Sequence, residues 1–348
     1  MHGEGAGASW RAGVGLPVGL ALLVFAVGAN GQTLPAAASS LTAAERRVAR
    51  TPWGDPDLQG TYSNSSESGI PMERPAEFAG KRLQDVTPAD LARAIKQRRE
   101  AGRDLAQTIG GTSENDTGAG PPHWYENYNA KNSRAWMISD PADGKMPPLT
   151  DEAKQHAVAL QAARRGGDGY YNGPFDGPED LVPYVRCITR GLPGSMMPAI
   201  YGNTYDIVQS PGYVAIRYEM VHETRLVPLD GRRHASDKVH LDMGDARGRW
   251  EGDTLVIETT NFRERSAFGG ASEHLKTTER FTMVRPGIIE WSMTFDDPHT
   301  WTRPWTFGMR LTRDDQEPLF EYACHEGNNG LRNILSAERA EERSAKQK

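Results

Sequence analysis

The chain has 348 residues, with 40 Lys+Arg against 46 Asp+Glu and a net charge of −6. An acidic balance without a basic block excludes nucleic acid or an anionic membrane surface as an electrostatic partner. Hydrophobic residues make up 37%, and 37 Gly with 23 Pro imply many turns and short segments, the composition of a loop-rich β protein.

In chain order, Arg11 precedes the apolar run VGLPVGLALLVFAV (14–27), and Ala29-Asn30-Gly31 then gives the small–x–small pattern of a signal-peptidase site before Gln32. The run falls short of the ~20 apolar residues that span a bilayer. Residues 1–31 therefore read as a signal peptide, with a retained anchor as the alternative. The protein is expected to be periplasmic or secreted, with no integral membrane span after cleavage. Removing this segment takes away Glu4 and Arg11 and leaves the net charge unchanged.

Residues 32–52 read as a flexible leader, and 53–183 as a helical and loop region packed on the main body. It opens with a short strand around Leu58 to Tyr62. Thr87-Pro88-Ala89-Asp90 then starts a helix, with a Thr N-cap, Pro at the first position and an acid in the first turn. The polar, Gly-rich stretch 108–123 has the length of a functional loop and is a candidate lid. A second helix is expected from Thr150, stopped by Gly166-Gly167. The acidic connector 168–180 lacks the spacing of an EF-hand.

From Tyr184 the pattern changes to short strands and tight turns. TYDIVQ (204–209), YVAIRYEM (213–220), TRLVPLDG (224–231), RGRW (247–250), TLVIETTNF (254–262), LKTTERFTMV (275–284), IIEWSMTFD (288–296), WTFGMRL (305–311) and LFEYAC (319–324) follow one another with no helical pattern between them. The clearest alternation sets Ile289, Trp291, Met293 and Phe295 on one face. Such a succession pairs antiparallel, and closing it removes exposed edges. The fold class is therefore mainly β: an antiparallel meander over 184–335 closing into a barrel, with two or so peripheral helices from the N-terminal half and a charged tail at 336–348. The two cysteines, Cys187 and Cys324, read as a disulfide, whose loop of more than 130 residues is worth roughly 4–5 kcal/mol in the chain-entropy model.

Three polar clusters are candidate sites. In EMVHETRLVPLDGRRH (219–234), a turn brings Glu219, His222 and Arg225 together as orienter, general base and oxyanion holder, the catalytic candidates. In RGRWEGDTLVIETTNF (247–262), Gly252-Asp253 is explained by hairpin geometry. Arg247 and Arg249 lie opposite Trp250 and face water or form an internal polar network. Arg247 and Trp250 are expected to share a cavity with His222. His325 and Glu326, beside Cys324, would sit at the barrel mouth, while Trp291 and Trp305 line the core or the mouth. His240 and Asp242 share a strand face, but with no tight H-x-H or HExxH pattern no metal site is assigned. No GxSxG and no nucleotide-binding glycine signature occur, so no cofactor is expected.

SDPADGKMPPLTDEA (139–153), YVRCITRGLP (184–193), PGYVAIRYEMVHETRLVPLDGRRH (211–234), GDARGRWEGDTLVIETTNF (244–262), DDPHTWTRPWT (296–306) and EYACHEGNNGLRNIL (321–335) together resemble a widespread family of exported bacterial proteins. The resemblance covers nearly all of 52–340 and specifies no reaction. By architecture the C-terminal part also resembles calycin or lipocalin-like barrels, some of which bind apolar ligands and some of which catalyse cofactor-free chemistry. This implies an exported barrel that binds a small apolar or aromatic molecule. It would transform it, if at all, by lyase, isomerase or hydratase-type acid/base chemistry. The alternative is a non-catalytic ligand-binding or envelope-interaction module.

Overall fold

Alternating apolar residues and glycine turns assemble a single antiparallel sheet in the computed structural model, which describes residues 48–109, 131–163, 174–199, 201–264, 268–316 and 318–347. The expected signal peptide, most of the leader, the candidate lid from 110 onward, Gly166-Gly167 and residues 168–173 of the 168–180 connector lie outside the described residues. The strands are β1 (Gly60–Ser63), β2 (Ile138–Asp140), β3 (Thr204–Ser210), β4 (Tyr213–Tyr218), β5 (Thr224–Pro228), β6 (Asp245–Glu251), β7 (Thr254–Thr260), β8 (Lys276–Arg285), β9 (Ile288–Asp296) and β10 (Trp305–Arg313). They pair in the order β5-β4-β3-β1-β10-β9-β8-β7-β6, with β2 added to β10. The result is a nearly closed antiparallel barrel.

The gap in that barrel has a topological cause. Every neighbouring pair on the nine-strand path is antiparallel. With an odd number of strands, the two ends of the path, β5 and β6, must run parallel to one another. Parallel neighbours need a connection that returns the chain to its starting end, and residues 229–244 do this. β5 and β6 make no ladder. They meet instead through side chains at Gly248, where an added Cβ would lie 2.6 Å from Leu229 Cδ2 and 2.8 Å from Val227 Cγ1.

The interior is filled. Leu255 stands opposite Phe281, Phe281 opposite Trp291, and Trp291 opposite Met309. Tyr62, Tyr205, Ile216, Val227, Met293, Phe295, Trp305 and Phe307 complete a core in which each is buried. Trp305 stacks on Phe295 with ring centres 4.5 Å apart. A barrel of this size is just wide enough to be filled by its own side chains, and this one is.

Among the described residues, three α-helices lie outside the sheet: α1 (Pro88–Ile109), α2 (Asp151–Ala163) and α3 (Asn329–Lys346). At the start of α1, Thr87 Oγ1 accepts the Asp90 N–H at 3.1 Å and Asp90 accepts back from Thr87. At α2, Thr150 Oγ1 accepts from Ala153 N–H. Among the described residues, no helix is long and apolar enough to cross a membrane.

Several expectations change. Sheet strands occur from Gly60 to Arg313 instead of within 184–335, because β1 is inserted between β3 and β10 and β2 also pairs β10. The segment 319–324 is not a strand. The strand that precedes it, β10, is already paired with β1, β2 and β9, so the segment cannot continue the meander beside it. The tail expected at 336–348 is instead most of α3. Cys187 and Cys324 are bonded, with Cα atoms 5.7 Å apart, and tie the segment before β3 to the segment before α3.

Candidate functional site

Where β5 and β6 diverge from their contact at Gly248, the seam opens into a wedge of about 340 Å3. The first residues of the two strands and the end of their connection form its walls: Glu223, Thr224, Arg225 and Leu226 on one side, and 241–246 on the other. Asn261, held at φ 58°, fastens this connection, its Nδ2 donating to Ser236 O at 2.8 Å and Val239 O at 3.0 Å. The wedge is therefore built by the 229–244 return that parity requires.

Arg225 forms its floor. Alternation turns this residue inward, where it is 5% exposed, and its guanidinium makes a two-point contact with Glu279, Nη1 to Oε2 at 2.5 Å and Nη2 to Oε1 at 3.1 Å. Trp291 Nε1 donates to the same Glu279 at 3.0 Å. Burial disfavours the Arg225 cation, but Glu279 outweighs it and holds the proton on. Arg225 Nε, Tyr218 OH, Thr259 Oγ1 and Thr277 Oγ1 are buried and have no hydrogen-bond partner among protein atoms. Burial pushes the Tyr218 hydroxyl well above the usual phenol range. Buried donors left without acceptors are uncommon in native interiors.

The wedge walls carry three carboxylates. Glu223 accepts from Thr189 Oγ1 at 2.5 Å. Burial pushes its carboxyl up, Asp242 adds to the rise, and the Thr189 hydroxyl and Arg225 only partly oppose it. Burial works the same way on Asp245, but the Ala235 N–H, Arg247 and His234 outweigh it and hold that carboxyl below the usual range. Asp242 lies 3.6 Å from Arg263 Nε. Leu226, Leu241, Met243 and Ala246 supply the apolar part.

The sequence candidates separate. Of Glu219, His222 and Arg225, only Arg225 lines the wedge. Glu219 accepts from Thr204 N–H at 3.1 Å and fastens β3 to the end of β4. His222 is exposed, at φ 44°, and its Nδ1 lies 3.0 Å from Tyr322 O, which can only accept, so Nδ1 carries the proton. The three share a turn in sequence, but alternation sends Arg225 inward while the turn sends His222 to solvent.

Arg247 and Trp250 do not share a cavity either. Arg247 faces outward, pairing with Asp245 at 2.5 Å and donating to Arg233 O, whereas Trp250 packs on the core. Trp250 is also four residues along β6 from Ala246, the nearest wedge residue, roughly 13 Å at the usual strand rise. Arg249 joins Glu251 and Glu258 on the outer face. Trp291 and Trp305 are wholly buried core residues and line no opening. His325 and Glu326 are exposed, next to the bonded Cys324. His240 Nδ1 turns to Phe262 O while Asp242 turns to the wedge. Among the described residues, no group of three or more His, Cys, Asp or Glu is placed to hold a metal ion.

Glu279 and Glu223 were not singled out in the sequence, although one signal existed. In LKTTERFTMV, alternation puts Glu279 on the same face as Phe281, and a carboxylate on an apolar face needs a partner. For Glu223 no comparable pattern exists.

No family model matches the chain, and no curated protein matches it. Among solved structures it is similar to a variant of the fluorescent protein UnaG, at 14% identity over 38% of this chain and 85% of that one, with a TM-score of 0.20. At that score the likeness carries no weight, and the barrel rests on its strand pairing.

Proposed function

We propose that this protein is an exported barrel that binds a small molecule in the wedge between β5 and β6. The observation that carries the reading is the wedge itself: a recess of about 340 Å3 whose floor is a buried, ion-paired arginine and whose walls mix carboxylates with leucine and methionine. Pockets of this kind, largely preformed with a few convergent polar groups, are the usual sites for small ligands. Export is supported by the apolar segment before Gln32, by the resemblance of the motifs to those of exported bacterial proteins and by the disulfide, which is rare in reducing compartments. The site lies at the seam, so the apolar or aromatic lumen ligand expected from the sequence gives way to a smaller and more polar one.

The test is a fragment screen by methyl NMR. Ligands should first shift the methyl signals of Leu226, Leu241 and Met243, and Leu241→Trp, which fills the recess, should abolish the response. Shifts centred on Met293 and Met309 instead would place the site in the lumen and end this reading.

A second reading, acid/base catalysis without a cofactor, is favoured by the raised Glu223 carboxyl beside Arg225. A carboxyl whose proton is held more tightly than usual is suited to general acid work. In that case Glu223→Gln removes turnover and His222→Ala does not. The reverse pattern would return the chemistry to His222.

A further inference from the structure

We infer that the ligand of the wedge is a small cationic amphiphile: a head group bearing an ammonium beside a hydroxyl, with a short apolar tail. The inference rests on the wedge being a binding site and adds the class of molecule it takes.

Charge decides the head group. Of the three wall carboxylates, Asp245 is paired with Arg247 and Asp242 faces Arg263. Arg225 is already balanced by its two-point contact with Glu279. Glu223 accepts from the Thr189 hydroxyl and, among the described residues, makes no salt bridge, because the Arg225 guanidinium that acts on it is held by Glu279. An anionic head would meet three carboxylates and find no unbalanced cation. An ammonium beside Glu223 gains a charge-assisted hydrogen bond, which is roughly twice as strong as a neutral one. Arg225 Nε has no accessible surface and lacks an acceptor, and a shift of its side chain toward the wedge would bring it to a hydroxyl oxygen next to the ammonium.

Surface shape decides the tail. On the outer face of β3, β4 and β5, Val208 stands directly opposite Ala215, and Ala215 opposite Leu226. Val208 is 55% and Leu226 59% exposed. This apolar row starts at the wedge, where Leu226 and the exposed Leu241 are both lining residues, and leads away across three strands. A connected exposed apolar row beside a polar recess is the footprint of a molecule with both characters.

The experiment titrates the full chain with N-octylethanolamine, octylamine, octanol and octanoate, followed by methyl NMR. The amino alcohol should bind best, octylamine next and octanol weakly, while octanoate leaves the Leu226, Leu241 and Met243 signals unmoved. Glu223→Gln should weaken the amino alcohol roughly tenfold or more, the scale of one lost charge-assisted hydrogen bond, and leave octanol unchanged. Leu226→Ser should weaken all compounds that bind. Octanoate binding as well as the amines, or Glu223→Gln without effect, overturns the cationic head while the wedge remains a binding site. No movement of these methyls with any of the four compounds, at concentrations where fragments also fail, removes the wedge reading itself. If Leu226→Ser instead turns a dimer into a monomer in sedimentation and leaves amine binding intact, the apolar row belongs to a second copy of the chain and the tail assignment falls.

Discussion

The same two strands, β5 and β6, touch at one level and part at another. At Gly248 the absence of a side chain lets Val227 and Leu229 fill the space, and the seam is shut by packing alone. A few residues toward their starts, Arg225 and Ala246 face a recess, and the groups around it are charged. A barrel that cannot close its hydrogen-bonded ladder can still be sealed by side-chain volume. Where that seal ends, polar groups can reach the interior without the sheet being broken.

Removing the floor of the open part should have the largest effect. Glu279→Ala leaves the Arg225 cation buried and unpaired, and the expected loss is about 3–5 kcal/mol in urea unfolding. Replacing both, as Arg225→Met with Glu279→Leu, should recover most of that loss. A double variant as unstable as the single one would mean that the pair is not what holds this level of the barrel.

The closed part is tested by Gly248→Val, expected to cost about 1–3 kcal/mol by overpacking against Val227 and Leu229. Gly252→Ala in the hairpin at the far end of β6 meets nothing within 4 Å, and its cost of about 1–2 kcal/mol comes from φ +61° alone. The two can be told apart by Leu229→Ala, which should relieve Gly248→Val and leave Gly252→Ala unchanged.

A smaller effect distinguishes the wedge from the outer wall by pH. Glu223 and Glu67 both have carboxyls pushed up by burial, Glu67 under hydrogen bonds from Ser133 on the outside of the sheet. An acid that holds its proton longer when folded contributes fully below the ordinary glutamate range, and the contribution is lost as pH rises through the folded value. Glu223→Gln and Glu67→Gln should each flatten the decline of stability above that range, measured as midpoint against pH. Ligand affinity should change only with Glu223→Gln. The smallest effect is expected at Arg249→Ala on the exposed face of β6, under about 1 kcal/mol despite its contacts with Glu251 and Glu258, because solvent screens such pairs.

Much of the barrel can be read locally. The alternation from Ile289 to Phe295, the Gly252-Asp253 turn and the Thr87 cap each depend on a few neighbouring residues, and the structure keeps them. The seam does not announce itself in this way. It follows from the count of strands, which depends on β1 pairing with β3, Thr61 against Asp206 at a separation of 145 residues. The floor of the wedge likewise joins Arg225 to Glu279 across 54 residues. The cluster that looked catalytic, Glu219 with His222 and Arg225, is close in sequence but divided by the backbone. Val221 and His222 take positive φ, and this turn faces His222 away from the side to which the strand turns Arg225.

The bond between Cys187 and Cys324 closes an interval of 137 residues, and every strand from β3 to β10 lies within it. In a chain that emerges N-terminus first, the first thiol waits while the rest of the barrel is delivered. With two cysteines in the whole chain, it has no wrong partner within the molecule to choose in the meantime. A product truncated before residue 324 is left with an unmated thiol at Cys187, so the bond can form only once every strand of the barrel has been delivered.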